Sequence, residues 1–137
     1  MDKERLLHYL GPLYSTEEHL NFLCALTHEA NEQWWRDPKN GNVLNRNTGE
    51  LLMLCVSELA EALEGHRKGL KDDGLPQYDM FHVELVDCLI RVFDILGHAR
   101  INYNLNPGQI YIDKMKYNAQ REDHKPENRV KDGGKKY

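Results

Sequence analysis

Residues 82–96, HVELVDCLIRVFDIL, constrain the fold of this chain more than any other stretch. Their apolar side chains do not alternate as in a strand, and at about 100° per residue they cover almost the whole circumference of a helix. A helix that is apolar nearly all round belongs in the centre of a domain or in an interface between subunits. We therefore expect a central helix over about residues 79–98.

Three further segments predict helices that pack around this central one. Residues 15–35 open with STEE, a capping box in which Ser15 is the N-cap and Glu18 is at N3. Residues 48–67 predict a second helix, and residues 106–121 open with NPGQ, which places proline at N1. Loops rich in Gly, Asn, Asp and Pro separate the segments. The pattern predicts an all-α, four-helix-bundle-like fold.

The length and composition indicate one soluble domain. The chain of 137 residues suits a single domain over residues 1–137, with a short helix and turn in residues 1–14 and a polar, extended or disordered tail in residues 122–137. The net charge of −4 gives no reason to expect a nucleic-acid polymer as partner. No apolar run reaches the roughly 18 residues of a membrane span, and the first residues do not resemble a signal peptide. Three widely spaced cysteines indicate reduced thiols in a cytoplasmic protein.

The central helix carries an acidic stripe on its apolar surface. Glu84, Asp87, Arg91 and Asp94 fall within an arc of about 80° on a helical wheel. The second helix repeats the pattern with Glu58 and Glu61, which are three residues apart. On a helical wheel this pair lies on the same side as residues that we expect to face the core. Carboxylates out of water are costly unless they are protonated, paired or bound to metal, and neighbouring ones repel each other. Oxygen ligands favour a hard cation, Mg²⁺ or Mn²⁺.

Other readings of these charges exist. The stripes could be solvated faces or surface salt bridges, which are common for a single ExxD pair. A di-iron carboxylate bundle needs Glu-x-x-His ligands, and none of Glu58, Glu61 or Glu84 has a histidine three residues later. Because two acidic pairs lie on apolar faces, we favour the metal site.

Three motifs follow one another along the chain, the ExxE of SELAEALEGHRKG, the ExxD of ELVDCLIRVFDILG and the basic segment KMKYNAQREDHK. In this order they resemble the all-α nucleoside triphosphate pyrophosphohydrolases, the MazG-like superfamily, in its short single-domain phage and bacterial type. The likeness covers roughly residues 22–137. It implies hydrolysis of a (d)NTP to (d)NMP and pyrophosphate with Mg²⁺, for which Mn²⁺ can substitute, in a bacterial or phage-infected host cytosol.

The resemblance also assigns roles to individual residues. The implied metal ligands are Glu58, Glu61, Glu84 and Asp87, and we expect Glu61 to accept the proton of the attacking water. The residues that would contact the triphosphate are Lys114, Asn118 and Arg121. With Tyr117 these three span an arc of about 100° on one helix face, and Lys and Arg suit a polyphosphate. A solvated helix surface is the alternative interpretation of that face.

The chain departs from the family pattern at two positions. Ser57 stands where many relatives carry a further Glu, which leaves the identity of the general base open. Arg91 stands where some relatives carry Tyr. It is then either an internal partner of Asp94 or a ligand of the substrate phosphates.

The base-binding residues are the least determined part of the prediction. Trp34 and Trp35 end the first helix, with His28 and Asn31 a turn or two earlier. We expect an indole, that of Trp35, to stack on a base and Asn31 to read the edge of that base. A tryptophan pair that closes the core or an interface is equally compatible. Candidate substrates are dGTP, dUTP and dCTP, in control of the dNTP pool.

The apolar central helix also predicts a homodimer or homotetramer, because three short neighbours cannot cover it. Two rival functions remain at this point. One is a phosphohydrolase that releases inorganic phosphate. The other is a non-catalytic helical interaction or regulatory module.

Overall fold

The computed structural model describes residues 15–121, 125–131 and 133. Within these residues the regular structure is helical. The elements are α1 (Thr16–Ala30), a 3₁₀ turn (Glu32–Trp35), α2 (Thr48–Lys68), α3 (Met80–Tyr103), α4 (Pro107–Gln120) and the single turn α5 (Pro126–Arg129). Only two isolated antiparallel bridges, Arg36–Val43 and Lys71–Asp79, occur in the described part of the chain. The predicted all-α class is confirmed.

The capping box at the start of α1 forms as predicted. The backbone N–H of Ser15 donates to Oε2 of Glu18 at 2.7 Å, and the N–H of Glu18 donates to Oγ of Ser15 at 3.2 Å. The α-helix ends at Ala30, earlier than predicted, and the chain continues in the 3₁₀ turn.

The ends of the other helices follow local signals in the sequence. Asn106 caps α4 by accepting the N–H of Gln109 at 3.1 Å, with proline at N1. Asn47 caps α2 in the same way, and Gly69 ends that helix in the left-handed conformation with φ of 63°. α3 runs about five residues past its predicted end. The helix predicted near the N-terminus lies outside the described residues, and α5 lies in the tail that was predicted to be extended or disordered.

The chain divides into two compact units. One is Phe22–Leu105, and in it α2 and α3 pack against each other. Gly65 near the end of α2 meets Met80 at the start of α3, whereas Glu58 bonds to Arg91 farther along α3. The end of α2 thus lies beside the start of α3, and an earlier part of α2 lies beside a later part of α3. The two helices are therefore antiparallel.

A glycine in α3 allows α1 to approach closely within the same unit. A Cβ at Gly97 would lie 2.3 Å from the carbonyl oxygen of Cys24 and 2.5 Å from Cβ of His28. No residue with a side chain fits at that distance without moving the backbone. Gly97 thereby sets the separation of α1 and the second half of α3.

The other unit comprises Met1–Asn21 and Asn106–Tyr137. Its described part joins the start of α1 to the start of α4 through polar contacts. Asn106 accepts from Nδ2 of Asn21 at 2.8 Å and donates to Oε1 of Glu17 at 2.7 Å. The N–H of Gly108 donates to Oδ1 of Asn21 at 3.0 Å. A Cβ at Gly108 would lie 2.3 Å from the carbonyl oxygen of Glu17, so glycine is needed here as well.

Large apolar side chains remain exposed on α2 and α3. On α2 they recur every three or four residues, as a stripe of Leu52, Val56, Leu59 and Leu63 with exposed fractions of 46–57%. On α3, Val86 and Leu89 are about half exposed. No helix in the described ranges is long and apolar enough to span a bilayer.

Candidate functional site

Three carboxylates meet between α2 and α3. Glu58 comes from α2, and Glu84 and Asp87 come from successive turns of α3. One oxygen of each lies within 4.8 Å of an oxygen of the other two. Glu58 and Glu84 are each only 7% exposed, and Asp87 is partly buried. We refer to these three residues as the carboxylate cluster.

The sequence produces this cluster by helix periodicity. Glu84 and Asp87 are three residues apart and therefore lie on one face of α3. Glu58 shares the inward face of α2 with the buried residues Cys55 and Ala62. The antiparallel packing of the two helices then brings the acidic faces together.

The carboxylate cluster is electrostatically strained. Burial, followed by the charge of Glu61 and by the hydrogen bond with Glu58, raises the pKa of Glu84 to about 7. Burial and the charge of Glu58 raise the pKa of Asp87, while the guanidinium of Arg91 opposes that shift. The cluster therefore gains stability from any added positive charge, whether a proton or a cation.

The donor set of the carboxylate cluster fits Mg²⁺ or Mn²⁺. All its donors are carboxylate oxygens, the ligand type that hard divalent cations prefer. Opposite oxygens around Mg²⁺ are about 4.2 Å apart, twice the usual Mg–O distance. The three oxygens lie within 4.8 Å of one another, which exceeds this distance by little, so the carboxylate cluster could hold one such ion.

The fourth predicted metal ligand, Glu61, is placed differently. Its side chain is exposed, and it is not one of the three residues whose oxygens lie together. Its charge nevertheless acts on Glu84, where it is the second-largest cause of the raised pKa. Glu61 therefore borders the carboxylate cluster on the solvent side.

Arg91 binds the carboxylate cluster directly. Its Nε donates to Oε1 of Glu58 at 2.5 Å, and the side chain of Glu58 is 9% exposed against 40% for Arg91. The alternative in which Arg91 pairs with Asp94 is not seen. Asp94 instead accepts hydrogen bonds from Trp35 and lies 2.7 Å from Nδ1 of His28.

A cavity of about 460 Å³ adjoins the carboxylate cluster. Its lining has charged, polar, aromatic and apolar parts. The charged residues are Glu58, Asp87, Arg91, Arg46 and Asp94. The others are the polar Asn31, the aromatic Trp34 and the apolar Leu51, Leu54 and Ile90. All these residues belong to the unit Phe22–Leu105. The cavity thus combines carboxylates, two guanidinium groups and an aromatic ring.

The two adjacent tryptophans have separate environments. Trp34 lines the cavity and is 62% exposed. Trp35 is 5% exposed and stacks on the ring of His98, with centroids 3.9 Å apart and an interplanar angle of 8°. Trp35 lines a different cavity of about 430 Å³, together with His28 and His98. The sequence named Trp35 as the stacking residue, but the indole beside the carboxylate cluster is that of Trp34.

Asn31, also named from the sequence, lines the 460 Å³ cavity. Its Nδ2 donates to the carbonyl of Thr27 at 3.0 Å. Its Oδ1 accepts no hydrogen bond within the described ranges, so this oxygen is available to a ligand in the cavity.

The predicted triphosphate ligands lie in the other unit, Lys114 and Asn118 on α4 and Arg121 directly after its last residue. Nζ of Lys114 lies 4.8 Å from the ring centre of Tyr117, and Cζ of Arg121 lies 6.0 Å from it. Oδ1 of Asn118 is buried and has no hydrogen-bond partner among the described residues. Lys114, Tyr117 and Asn118 lie on α4, but the helix ends at Gln120 and Arg121 follows it with extended backbone, so the predicted helix face does not include Arg121. The role of these residues toward a triphosphate stays a prediction.

Two features of the site escaped sequence reasoning. Arg46 lies in a loop without any motif, yet its Nη1 donates to the carbonyl of Trp34 at 2.8 Å and its side chain lines the cavity. The contact of Asp94 with Trp35 joins residues 59 positions apart. Asp94 belonged to the predicted acidic stripe, but no local signal identifies so distant a partner.

Comparison of the chain with protein-family models, curated proteins and solved structures found no match.

Proposed function

We propose that this chain is a metal-dependent pyrophosphohydrolase that converts a (d)NTP to (d)NMP and pyrophosphate. The observation that carries this proposal is the buried carboxylate cluster next to a cavity with two arginines and an exposed indole. Carboxylates, guanidinium groups and an aromatic face are what binding of a cation, a phosphate chain and a base requires. The motif likeness to the MazG-like family supports the same activity.

The cavity has the size and lining for a nucleotide. Small-molecule sites typically enclose about 300–1,000 Å³, and this cavity of about 460 Å³ lies in that range. Trp34 offers an exposed indole for stacking on the base, and Oδ1 of Asn31 offers an acceptor for a base N–H. We therefore propose Trp34, rather than Trp35, as the residue that stacks on the base.

We assign metal binding and proton transfer to different carboxylates. Glu58, Glu84 and Asp87 would hold Mg²⁺ or Mn²⁺. A divalent cation bound there acidifies water and neutralises developing phosphate charge. Glu61, exposed beside the carboxylate cluster, takes the proton of the water that attacks the α-phosphorus in line, and pyrophosphate leaves.

Lys114, Asn118 and Arg121 are proposed as triphosphate ligands on the motif likeness. An ammonium, an amide and a guanidinium can all donate hydrogen bonds to phosphate oxygens. A substitution of Lys114 by Ala tests this role, because it should raise KM for the nucleotide without unfolding a chain in which Lys114 is exposed.

We further propose a MazG-type bundle that is completed in a homodimer or homotetramer. The exposed stripe Leu52, Val56, Leu59 and Leu63 supports this, since a monomer rarely leaves so regular an apolar face in water. Light scattering after size exclusion gives the oligomeric state. Replacing Leu59 by Glu should shift the protein to a smaller species.

The activity is tested with a panel of the eight common NTPs and dNTPs plus dUTP, each with Mg²⁺ or Mn²⁺. Nucleoside monophosphate, pyrophosphate and phosphate are all measured. Glu84→Gln should abolish turnover. Glu64→Gln is the matched control, because Glu64 is on α2 but pairs with Lys68 instead of joining the carboxylate cluster.

The products separate the proposal from its rivals. Pyrophosphate from one or a few nucleotides supports the proposal and identifies the base. Phosphate in place of pyrophosphate identifies a phosphohydrolase. No product from any nucleotide, together with no thermal stabilisation by Mn²⁺, indicates a non-catalytic helical module.

A further inference from the structure

Arg91 uses only part of its hydrogen-bonding capacity. Nε donates to Glu58, and none of the other guanidinium N–H groups bonds to a residue in the described ranges. The side chain is 40% exposed and lines the 460 Å³ cavity. A guanidinium has five N–H donors, so four remain for a ligand in that cavity.

Arg91 is also the one cation in direct contact with the carboxylate cluster within the described residues. Its ion pair compensates the charge of Glu58, which is 7% exposed and would be costly to leave unpaired. Arg91 lies one turn after Asp87 on α3, so its charge acts on two of the three carboxylates. It therefore occupies the electrostatic role that a divalent cation would fill.

We propose that Arg91 is an exchangeable counter-ion that pairs with Glu58 until a divalent cation binds and then turns into the cavity to bind a phosphate oxygen of the substrate. This inference rests on the proposed function and deepens it. It gives Arg91 two roles, which are to stabilise the carboxylate cluster in the absence of metal and to contact the substrate.

The exchange follows from the chemistry of the two groups. Arginine keeps its charge at any working pH, so it cannot relieve repulsion from an incoming cation by losing a proton. Once Glu58 is compensated by a divalent ion, the nearby guanidinium is repelled by that ion and loses its carboxylate partner. A phosphate oxygen in the cavity then offers the planar, doubly hydrogen-bonded contact that guanidinium groups make best.

The exchange has a thermodynamic consequence. A cation that frees Arg91 prepares the cavity for phosphate, so metal binding and phosphate binding strengthen each other. This coupling is reciprocal, and removal of the guanidinium should reduce it from both sides.

The test measures Mn²⁺ binding without nucleotide at pH 8, by the electron paramagnetic resonance signal of free Mn²⁺. Arg91→Met should bind Mn²⁺ about fivefold more tightly than wild type, since removing one charge a few ångströms away is worth about 1 kcal/mol in water. Arg91→Lys keeps the charge and should bind Mn²⁺ as wild type does. Arg36→Met is the control, because Arg36 pairs with Glu32 and not with the carboxylate cluster.

A second measurement follows the phosphate contact. At saturating Mn²⁺, calorimetry with inorganic tripolyphosphate should give roughly tenfold weaker binding to Arg91→Met, as expected for a lost charge-assisted bond, and weaker binding to Arg91→Lys. Urea unfolding confirms that each variant is folded.

The outcomes separate the two proposals. A wild-type protein that binds no Mn²⁺ overturns both this inference and the proposed function. If wild type binds Mn²⁺ but Arg91→Met binds it equally or more weakly, the exchange is wrong and the metal site stands. Undiminished tripolyphosphate binding by Arg91→Met likewise overturns the exchange alone.

Discussion

The indole Nε1 of Trp35 donates to both oxygens of the Asp94 carboxylate, at 2.9 and 3.0 Å. Nδ1 of His28 lies 2.7 Å from Oδ1 of the same carboxylate, whose side chain is 13% exposed. Asp94 thereby fixes the 3₁₀ turn that follows α1 to α3. Because Trp34 is the neighbour of Trp35 in that turn, Asp94 also holds Trp34 at the cavity beside the carboxylate cluster.

We predict that Asp94→Asn destabilises the fold. Trp35 donates to both oxygens, so the amide sets its own N–H donor against the indole N–H of Trp35 in a buried place. An unsatisfied buried group costs about 1–3 kcal/mol. The measurement is urea unfolding at pH 7.5 without metal. Asp73→Asn is the control, because Asp73 is exposed in the loop between α2 and α3, and an equal loss there would argue against the role given to Asp94.

Gly97→Ala should separate α1 from α3. The added Cβ would lie 2.3 Å from the carbonyl oxygen of Cys24, and backbone cannot move away as a flexible side chain does. We expect a loss of about 2 kcal/mol or more, in the range of overpacked cores, despite the better helix propensity of alanine. In the control Gly49→Ala, the new Cβ meets only the side-chain oxygen of Asn47, at 3.1 Å. The measurement is the melting temperature of both variants in thermal unfolding. Equal melting temperatures would contradict the predicted close contact.

The raised pKa of Glu84 predicts a pH-dependent stability. The pKa rises from its ordinary value of 4.5 to about 7 in the folded chain, so folding favours the protonated form. The cost of the ionised carboxylate is absent below about pH 4.5 and fully present above about pH 7. In metal-free protein, Glu84→Gln should therefore be more stable than wild type at pH 8, by about 2–3 kcal/mol. The difference should shrink toward zero near pH 5.

Denaturant unfolding from pH 5 to pH 8 measures this difference. Glu64→Gln provides the comparison, since Glu64 lies on α2 but outside the carboxylate cluster. Saturating Mn²⁺ should stabilise wild type more than Glu84→Gln and so reduce or reverse the difference at pH 8. A difference that does not vary with pH would show that Glu84 is not held in a low-dielectric, acidic surrounding.

Local patterns in the sequence were sufficient to predict the four main helices and the caps at the start of α1 and α4. The Ser15–Glu18 capping box and the Asn106 cap depend on residues three positions apart, so the sequence displays them directly. The pairing of Glu84 with Asp87 follows from helix periodicity for the same reason. The end of α1 was placed too late because apolar spacing does not distinguish an α-helix from a 3₁₀ turn.

The rest of the site depends on contacts between distant residues. The sequence grouped Glu61 with Glu58 because they share a helix face, but the packing of α3 selects Glu58 and leaves Glu61 in solvent. It offered Asp94 as partner of Arg91, whereas Arg91 reaches across to Glu58. Which side chains of α2 and α3 contact each other depends on the register of the two packed helices, and a short sequence motif does not determine that register.

The two tryptophans should respond oppositely to truncation. Trp34→Ala should leave the fold nearly as stable as wild type, because the side chain is 62% exposed, but should raise KM for the nucleotide about tenfold through lost stacking. Trp35→Ala should destabilise the fold by about 3–5 kcal/mol, as for other buried aromatic residues. For both variants, urea unfolding measures the free energy of unfolding, and steady-state kinetics measure KM for the preferred nucleotide. If both truncations raise KM equally without loss of stability, Trp35 also contacts the base.

Glu61→Gln separates proton transfer from metal binding. Glu61 lies outside the carboxylate cluster, so the variant should bind Mn²⁺ within about threefold of wild type, as expected for loss of one exposed neighbouring charge. Its turnover should fall by at least about a hundredfold, the usual contribution of a general base. Glu58→Gln should instead lose Mn²⁺ affinity together with turnover. Mn²⁺ binding and pyrophosphate release are measured on the same preparations. Near-normal turnover in Glu61→Gln would remove Glu61 from the mechanism, and a loss of Mn²⁺ affinity equal to that of Glu58→Gln would make it a fourth ligand.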